Sequence, residues 1–470
     1  MANTAIKNIV IVGSSSHALL SAVTLAIGLK KQANIIIINT EAEVESEVFY
    51  GSGHFVDFHR NLGINLNHLI QQGDAVSQSA ERYINFFDKK DLYIGNDISL
   101  PMYRGIESHH VDAWLNNGSL DDFSYAVAAA KRDKFVLPSG KANHVSNSFE
   151  VSLQIKTLAY INFMAGAAKQ LGVQYVTQKI KSTTQNTETG FIESIILADG
   201  RKLDVDLIID STVSGEIYQH YYEQAYNEVT LPIGFNRMVE RKCLNNKKVR
   251  PYSTKIATKY GLIEQATFNS NTILRYFYNE TANKVDVLND FDNYFPESHS
   301  SIFHQYHVGE VSDIFYKNCL CIGNGAFNLG YSFIPLVNFS VRVLSKLLDY
   351  FPNKACPIEN IRYLNQIFKS DIENIKLFNE LCFYNLLSQG ESSLSSMALS
   401  KQAQQKVNLF LSSGKVCHQL NPIIVRQKWI NLLSSWYPNY KYEPVLDSLS
   451  KESAIAFLEM TKASINKLIS

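Results

Sequence analysis

The chain has 470 residues, with 44 basic and 44 acidic side chains, so its formal net charge is zero. This balance gives no reason to expect nucleic acid as a partner. No apolar run reaches the 18 residues that a membrane span needs, and the N-terminus leads directly into a strand, so we expect neither a membrane anchor nor a signal peptide. The six cysteines lack metal-binding spacing, which favours reduced thiols and a cytoplasmic location.

The first forty residues predict a βαβ unit. An apolar strand over 8–12 leads into a turn at Gly13, an Ala/Leu-rich helix follows to about Leu29, and a second apolar strand covers 35–38. This order and spacing are typical of the start of a dinucleotide-binding fold.

The turn departs from the usual fingerprint G-x-G-x-x-G/A, because it has Gly13, Ser15 and Ala18 at the three positions. Ser15, followed by Ser16, puts a side chain where the backbone would approach a pyrophosphate. Asn39 stands where an acidic residue normally binds the ribose, and a neutral amide makes a weaker bond there than a carboxylate. Two interpretations stay open: a weakened dinucleotide site, or a strand–turn–helix that binds nothing.

The elements that follow are mixed. Helices are predicted over 53–71, 78–87, 109–115, 125–130 and 148–171, then a hairpin over 190–205, a buried strand over 206–212 and a strand-rich stretch over 228–310. A strand is predicted over 318–322, followed by a turn at Gly323, and the chain is predicted to be mostly helical from 338 onward. His109 and His110 open one helix, and because neighbouring residues point to different faces, we expect a structural role and no metal site.

Four stretches in this order resemble the flavin-dependent tryptophan halogenase family. They are the turn within 9–20, the segment 108–130, the stretch 151–211 with its Asp199-Gly200 hairpin, and the segment 322–352, which is similar to the family's Pro-Leu-Glu-Ser-Thr region. The resemblance implies an α/β fold, namely an FAD-binding Rossmann-like flavoprotein monooxygenase/halogenase architecture with a helical C-terminal region. It also implies three regions: a nucleotide-binding core over 1–225 completed by 310–350, a strand-rich substrate region over 226–309, and a helical region over 351–470.

The resemblance implies FAD as the cofactor and adds site residues. Gly323, Pro335 and Leu336 would lie along the flavin, beside Gly13, Ser15, Ser16, Ala18 and Asn39 at the nucleotide end. In the family, reduced FAD generates hypochlorous acid, a lysine carries the halogen to an indole ring, and a glutamate assists. A Trp-x-Trp-x-Ile-Pro stretch separates flavin from substrate.

Several of these family residues are altered here. The lysine would fall within 77–83, which contains none, with Gln78 or Glu81 nearest. The glutamate and the Ser-Thr pair that should follow Leu336 are replaced by Val337, Asn338 and Phe339. The residues after Gly261 lack tryptophan and proline. These losses, with the altered turn, argue against tight FAD binding, and the sequence leaves the catalytic residues unknown.

Three hypotheses follow. The first is a halogenase-like protein without halogenase activity that binds a small aromatic or peptidic ligand or a partner protein. The second is an active FAD-dependent oxidoreductase, a halogenase or monooxygenase, acting on an indole or other aromatic substrate. The third is a subunit that forms a homodimer, or a heterodimer with an active homologue.

Overall fold

The computed structural model describes most of the chain. The described residues are 4–39, 45–86, 90–116, 118, 120–136, 150–229, 234–244, 248–296, 300–387, 398–417 and 422–470. They form a mixed α/β fold in which the largest buried apolar cluster joins the first sheet to the helices around it.

Helices occur throughout the chain and dominate its end. They are Ser16–Gly28, Gly53–Asn61, Asn67–Gln71, Ser108–Leu115, Tyr125–Ala130, Thr157–Gln170, Lys284–Tyr294, Leu336–Asp349, Ile358–Leu387, Lys401–Ser413, Arg426–Trp436 and Lys451–Ile469, with 3₁₀ turns at Leu120–Phe123, Gly323–Gly325 and Pro444–Ser448 and a π turn at Glu216–Tyr221. The predicted helices at 109–115 and 125–130 and the helical C-terminal part are confirmed. The helix predicted over 53–71 is two helices, because the chain turns at Gly63 with φ of +75°. In the described part of the chain, no helix is long and apolar enough to cross a membrane.

The first sheet has six strands. Their order is Gln174–Thr177, Asn34–Asn39, Asn8–Val12, Leu207–Asp210, Cys319–Cys321 and Phe315–Tyr316. The first five strands run parallel, and only the pairing of the last two is antiparallel. Residues 9–12 are fully buried, as expected of a central parallel strand covered on both faces. The predicted βαβ opening and the buried strand near 206–212 are confirmed.

The second sheet, which we call the large sheet, has seven strands. Their order is Ser301–Gln305, Arg237–Leu244, Asn271–Tyr278, Gly261–Thr267, Tyr252–Ala257, Ala80–Phe86 and Lys90–Gly95. The helix predicted over 78–87 is wrong, since residues 80–84 pair in parallel with 252–256. Strands from within 1–225 and from 226–309 thus share one sheet, and the proposed region boundaries stay a prediction.

Four smaller sheets complete the fold. They comprise Ile180–Gln185 with Ile192–Leu197 and Lys202–Asp204, Tyr226–Glu228 with Gly309–Val311 and Phe327–Asn328, Val48–Gly51 with Ser152–Lys156 and Ala75–Gln78, and Met102–Tyr103 with Ile106–Glu107. The hairpin predicted over 190–205 is confirmed. The helix predicted over 148–171 is wrong in its first part: residues 148 and 149 lie outside the described residues, 152–156 form a strand, and the helix begins at Thr157.

Candidate functional site

The turn after the first strand holds four of the predicted cofactor-binding residues. Ser15 caps the helix Ser16–Gly28, because its Oγ accepts a hydrogen bond of 3.4 Å from the Ala18 amide. Gly13 has φ of +124°, and a Cβ atom built there would lie 2.5 Å from Ser211 Oγ. Only glycine fits this point of the turn, so the first position of the fingerprint keeps its structural role.

A carboxylate lies on the N-terminus of this helix. The Ser16 amide donates to Glu45 Oε1 at 2.5 Å, and Ser16 Oγ donates to Glu45 Oε2 at 2.7 Å. A helix N-terminus stabilises anions through its free amides and dipole, and dinucleotide-binding proteins place the pyrophosphate there. A phosphate oxygen and Glu45 cannot both take the Ser16 amide. In this conformation the turn therefore does not fit a pyrophosphate, unless Glu45 moves away.

His17 closes the other side of the turn. Its Nδ1 lies 2.9 Å from Ser340 Oγ, and a Cβ atom at Gly323 would lie 3.0 Å from His17 Cδ2. Burial lowers the pKa of His17, and the charge of Glu45 opposes that shift. Gly323 thus packs against the first turn of the same helix, while Asn39 ends the neighbouring strand opposite Thr177. The cofactor-binding role of these residues stays a prediction.

Pro335 and Leu336 lie elsewhere, on a cavity of about 160 Å³. An apolar cavity of roughly 150 Å³ accepts one benzene ring, so this one has room for a single aromatic ring. Pro335 also lines an adjoining cavity of about 300 Å³. Many aromatic side chains line the first cavity, and a few charged groups converge on it; the side chains used below are Tyr50, Glu81, Lys255, Glu264, Arg275 and Tyr331.

A row of charges crosses the large sheet beside this cavity. Directly paired residues of adjacent strands share a face of the sheet, and five such residues follow one another: Glu240, Arg275, Glu264, Lys255 and Tyr83. The first four residues are charged and alternate in sign, and Tyr83 ends the row. We call these five residues the charged row.

Lys255 is the central cation of this site and is 4% exposed. Its Nζ lies 3.3 Å from Glu81 Oε2 and 4.0 Å from Glu264 Oε1. Arg275 forms an ion pair with the other oxygen of Glu264, and the Tyr331 hydroxyl donates to Glu264 at 3.0 Å. Since a buried charge needs partners, these contacts hold Lys255 as a paired ammonium.

Glu81 carries a strong electrostatic perturbation. Burial by itself would raise the pKa of its carboxyl, but the cations of Lys255 and Lys428 and a hydrogen bond from Tyr83 lower that pKa to about 2. Glu81 is therefore ionised across the whole physiological range.

Some of the positions at which the resemblance implies catalytic residues have structural contacts here. Gln78 is buried, and its Nε2 donates to Gln154 Oε1 at 3.0 Å. Val337 is buried and apolar, and Asn338 Oδ1 accepts from the Ser52 amide at 3.0 Å. None of these three residues supplies an amine or a carboxylate, whereas Glu81, the other candidate for the lysine position, supplies a carboxylate that is paired with Lys255.

Sequence reasoning missed Glu45, Lys255 and Glu264, whereas Arg275 was one of the residues that the sequence left as either pocket lining or sheet surface, and it lines the cavity. Lys255 and Glu264 have a visible signal, since each is a charged residue inside an otherwise apolar or β-branched strand, and such residues are buried only when paired. Glu45 has no signal of its own, because its role depends on a tertiary contact with Ser16.

The parallel sheet, its helix and its turn define the class of the protein: a Rossmann-like α/β protein of the flavoprotein type. The sequence model of tryptophan halogenases matches residues 8–451, and the chain belongs to the tryptophan halogenase family.

Solved structures agree with this fold. A flavin-dependent halogenase from Brevundimonas sp. BAL3 is 17% identical, with a TM-score of 0.89 over 99% of this chain and 96% of that one. A flavin-dependent halogenase from Xanthomonas campestris is 16% identical, with a TM-score of 0.90 and the same coverage. A tryptophan halogenase from Shewanella frigidimarina is 15% identical, with a TM-score of 0.85 over 100% of this chain and 96% of that one.

Proposed function

We propose that this chain is a halogenase-family protein that does not halogenate and that binds a small aromatic or peptidic ligand in the cavity beside the charged row. The observation that carries the proposal is the Glu45 carboxylate on the Ser16 amide and hydroxyl. It supplies from within the chain the negative charge that a cofactor phosphate would otherwise bring to the helix N-terminus. FAD would have to displace it against charge repulsion.

The catalytic positions support the same conclusion. Halogen transfer needs an amine that can carry the halogen and a carboxylate that can accept the departing proton. Gln78 offers an amide that is already bonded to Gln154, and Val337 offers no polar atom. Lys255 is an amine, but its Nζ is engaged by two carboxylates of the chain itself, Glu81 at 3.3 Å and Glu264 at 4.0 Å.

The cavity supports an aromatic ligand. Its volume suits one ring, its walls present aromatic faces and edges, and aromatic pairs prefer offset or edge-to-face contacts of this kind. The Tyr50 hydroxyl is buried at the same cavity near the Arg275 guanidinium, and within the described part of the chain it makes no hydrogen bond of good geometry. A ligand that carries an N–H or carbonyl group beside its ring would satisfy that hydroxyl, which fits an indole or a peptide side chain.

One observation favours a second candidate, an FAD-dependent oxidoreductase that acts on an aromatic substrate. Lys255 lines the same cavity as Pro335 and Leu336, the residues that the family resemblance places along the flavin. Lys255, on the strand that pairs with Ala80–Phe86, would then take the role of the lysine that residues 77–83 lack.

FAD titration separates the two candidates. Purified wild-type protein is titrated with FAD and followed by flavin fluorescence, beside Glu45→Ala and the matched surface variant Glu188→Gln. We expect no saturation of the wild type below about 1 mM, at least tenfold tighter binding by Glu45→Ala, and no change in Glu188→Gln. Micromolar binding by the wild type, together with a brominated indole product in the presence of a flavin reductase, would reject the proposal in favour of the second candidate.

A further inference from the structure

A second group of ionisable side chains lies away from the cavity, at the start of the helix Ser108–Leu115. Glu107, His109 and His110 each offer a potential ligand atom, and these three atoms lie within 4.8 Å of one another. His109 is fully buried and His110 is 3% exposed. The expectation that the two histidines point to different faces of the helix is wrong, since their ring centroids are 4.1 Å apart.

The two imidazoles present unused nitrogen atoms. His109 Nε2 lies 2.8 Å from the Gly414 carbonyl oxygen, which can only accept, so Nε2 carries the hydrogen and Nδ1 carries a lone pair. Among the described residues, neither His109 Nδ1 nor His110 Nδ1 has a hydrogen-bond partner, although both atoms are buried.

A carbonyl that fixes the tautomer of a buried histidine is the usual second partner of a metal-binding imidazole. The Gly414 carbonyl has this place relative to His109. Gly414 also closes the site, because a Cβ atom there would lie 2.6 Å from His110 Cε1. The backbone of the C-terminal helical part thus lies directly over the two rings.

The charged groups around the two imidazoles are compatible with a site that binds a cation with moderate affinity. Glu107 forms a two-armed pair with Arg426, in which Nη1 donates to Oε1 and Nη2 donates to Oε2 at 2.9 Å. A carboxylate has about four lone-pair positions, so each oxygen keeps one for another partner. Glu107 Oε2 lies 3.9 Å from His109 Nδ1. Lys415 is bound to Glu443 at 2.6 Å, so that its charge is balanced. The Arg426 cation opposes a dication, and we expect micromolar rather than nanomolar affinity.

We propose that Glu107, His109 and His110 bind a divalent transition-metal ion such as Zn²⁺, with water as the fourth ligand. Two imidazoles and one carboxylate are an established ligand set for this class of ion. Bonds of about 2.0–2.2 Å in a tetrahedron place ligand atoms roughly 3.3 Å apart, so the three side chains have to approach by about 1 Å. The ion would fasten the helix Ser108–Leu115 to the segment around Gly414, and this inference does not depend on FAD binding.

The test uses the full chain, stripped with a chelator and then titrated with CoCl₂ and ZnCl₂. We expect one equivalent of Co²⁺ with the visible absorption of a tetrahedral site, competition by Zn²⁺, and a higher melting temperature with Zn²⁺. His110→Gln should weaken Co²⁺ binding at least tenfold, whereas the matched exposed variant His220→Gln should bind like the wild type. Glu107→Gln gives the same test if His110→Gln does not fold.

Two results would overturn the proposal. One is the absence of a Co²⁺ absorption band in the wild type at millimolar metal. The other is metal binding that is equal in the wild type, His110→Gln and Glu107→Gln, since the ion would then be held by other residues.

Discussion

Replacing Lys255 by methionine tests the charged row most directly. Methionine keeps much of the length and apolar character of the lysine stem and removes its charge. The substitution leaves the ion pair of Glu264 with Arg275 in place, and Glu81 keeps only Lys428, whose Nζ lies 3.7 Å from Glu81 Oε1. The loss is therefore partial, because each carboxylate retains one cation.

The magnitude follows from the pKa of Glu81. A pKa lowered from the usual 4.5 to about 2 corresponds to about 3 kcal/mol of stability. Lys255 is the first of the groups that lower this pKa, and its loss also removes its weaker contact with Glu264. We expect Lys255→Met to lower the free energy of unfolding by about 3 kcal/mol at pH 7, at the lower end for a broken buried ion pair.

Urea unfolding at several pH values measures this effect. Because the folded-state pKa of Glu81 is lowered, its contribution to stability is present above about pH 4.5 and is lost as the pH falls towards 2. In Lys255→Met this dependence should flatten. The matched control is Lys202→Met, whose side chain is 62% exposed and should matter by less than about 0.5 kcal/mol.

A double-mutant cycle with Glu81→Gln isolates the contact between the two side chains. We expect a coupling energy of at least about 1 kcal/mol. A coupling within about 0.3 kcal/mol of zero, or a cost of Lys255→Met below about 1 kcal/mol, would refute the reasoning.

Two further variants test other parts of the fold. Burial lowers the pKa of His59 to about 4, so the folded state holds the neutral ring, and stability should fall by about 3 kcal/mol as the pH drops from 6.5 to 4. Urea unfolding of His59→Gln at pH 7 and pH 4.5 should show that this part of the pH dependence of stability is lost. An unchanged pH dependence in the variant would contradict the reasoning. Gly13→Ala should lower the free energy of unfolding by at least about 2 kcal/mol, because the positive φ of Gly13 and its 2.5 Å approach to Ser211 Oγ exclude a side chain. The control Gly166→Ala lies in a helix with open space around it and should be neutral or stabilising in the same thermal-unfolding assay. Equal melting temperatures for the two variants would be inconsistent with the turn geometry.

The opening of the chain could be predicted from sequence because its signals are local. The apolar strand, Gly13 and the Ala/Leu helix follow one another within thirty residues and together indicate one structural unit, and the structure has all three. The same is true of the hairpin around Asp199-Gly200, where the turn residues and the alternating strands coincide.

The stretch 78–87 shows why other elements could not be predicted. Its composition allows a helix, but residues 80–84 pair with a strand some 170 positions later, and this distant partner decides the conformation. The start of the segment 148–171 is similar, since 152–156 lies between two strands from residues 48–51 and 75–78.

The candidate site depends on contacts of the same kind. The family resemblance places the halogen-carrying lysine within residues 77–83, which contain none. In the structure, Lys255 pairs with Tyr83 of this stretch, from a strand far along the chain. The altered turn was visible in sequence, but the carboxylate that lies on it was not. A residue type and its spacing can reveal a missing group, whereas the group that takes its place is found only through the tertiary structure.

The alternation of sign across the large sheet also bears on how its strands find their partners. A shift of one residue would turn a whole strand over, and a shift of two would keep the face but set Arg275 against Leu262 or Ala266 instead of Glu264. Such a mispaired arrangement would bury a guanidinium against a methyl surface at a cost of several kcal/mol. Opposite charges therefore pair only in the native alignment, which disfavours slipped pairings of the antiparallel strands of this sheet while it assembles.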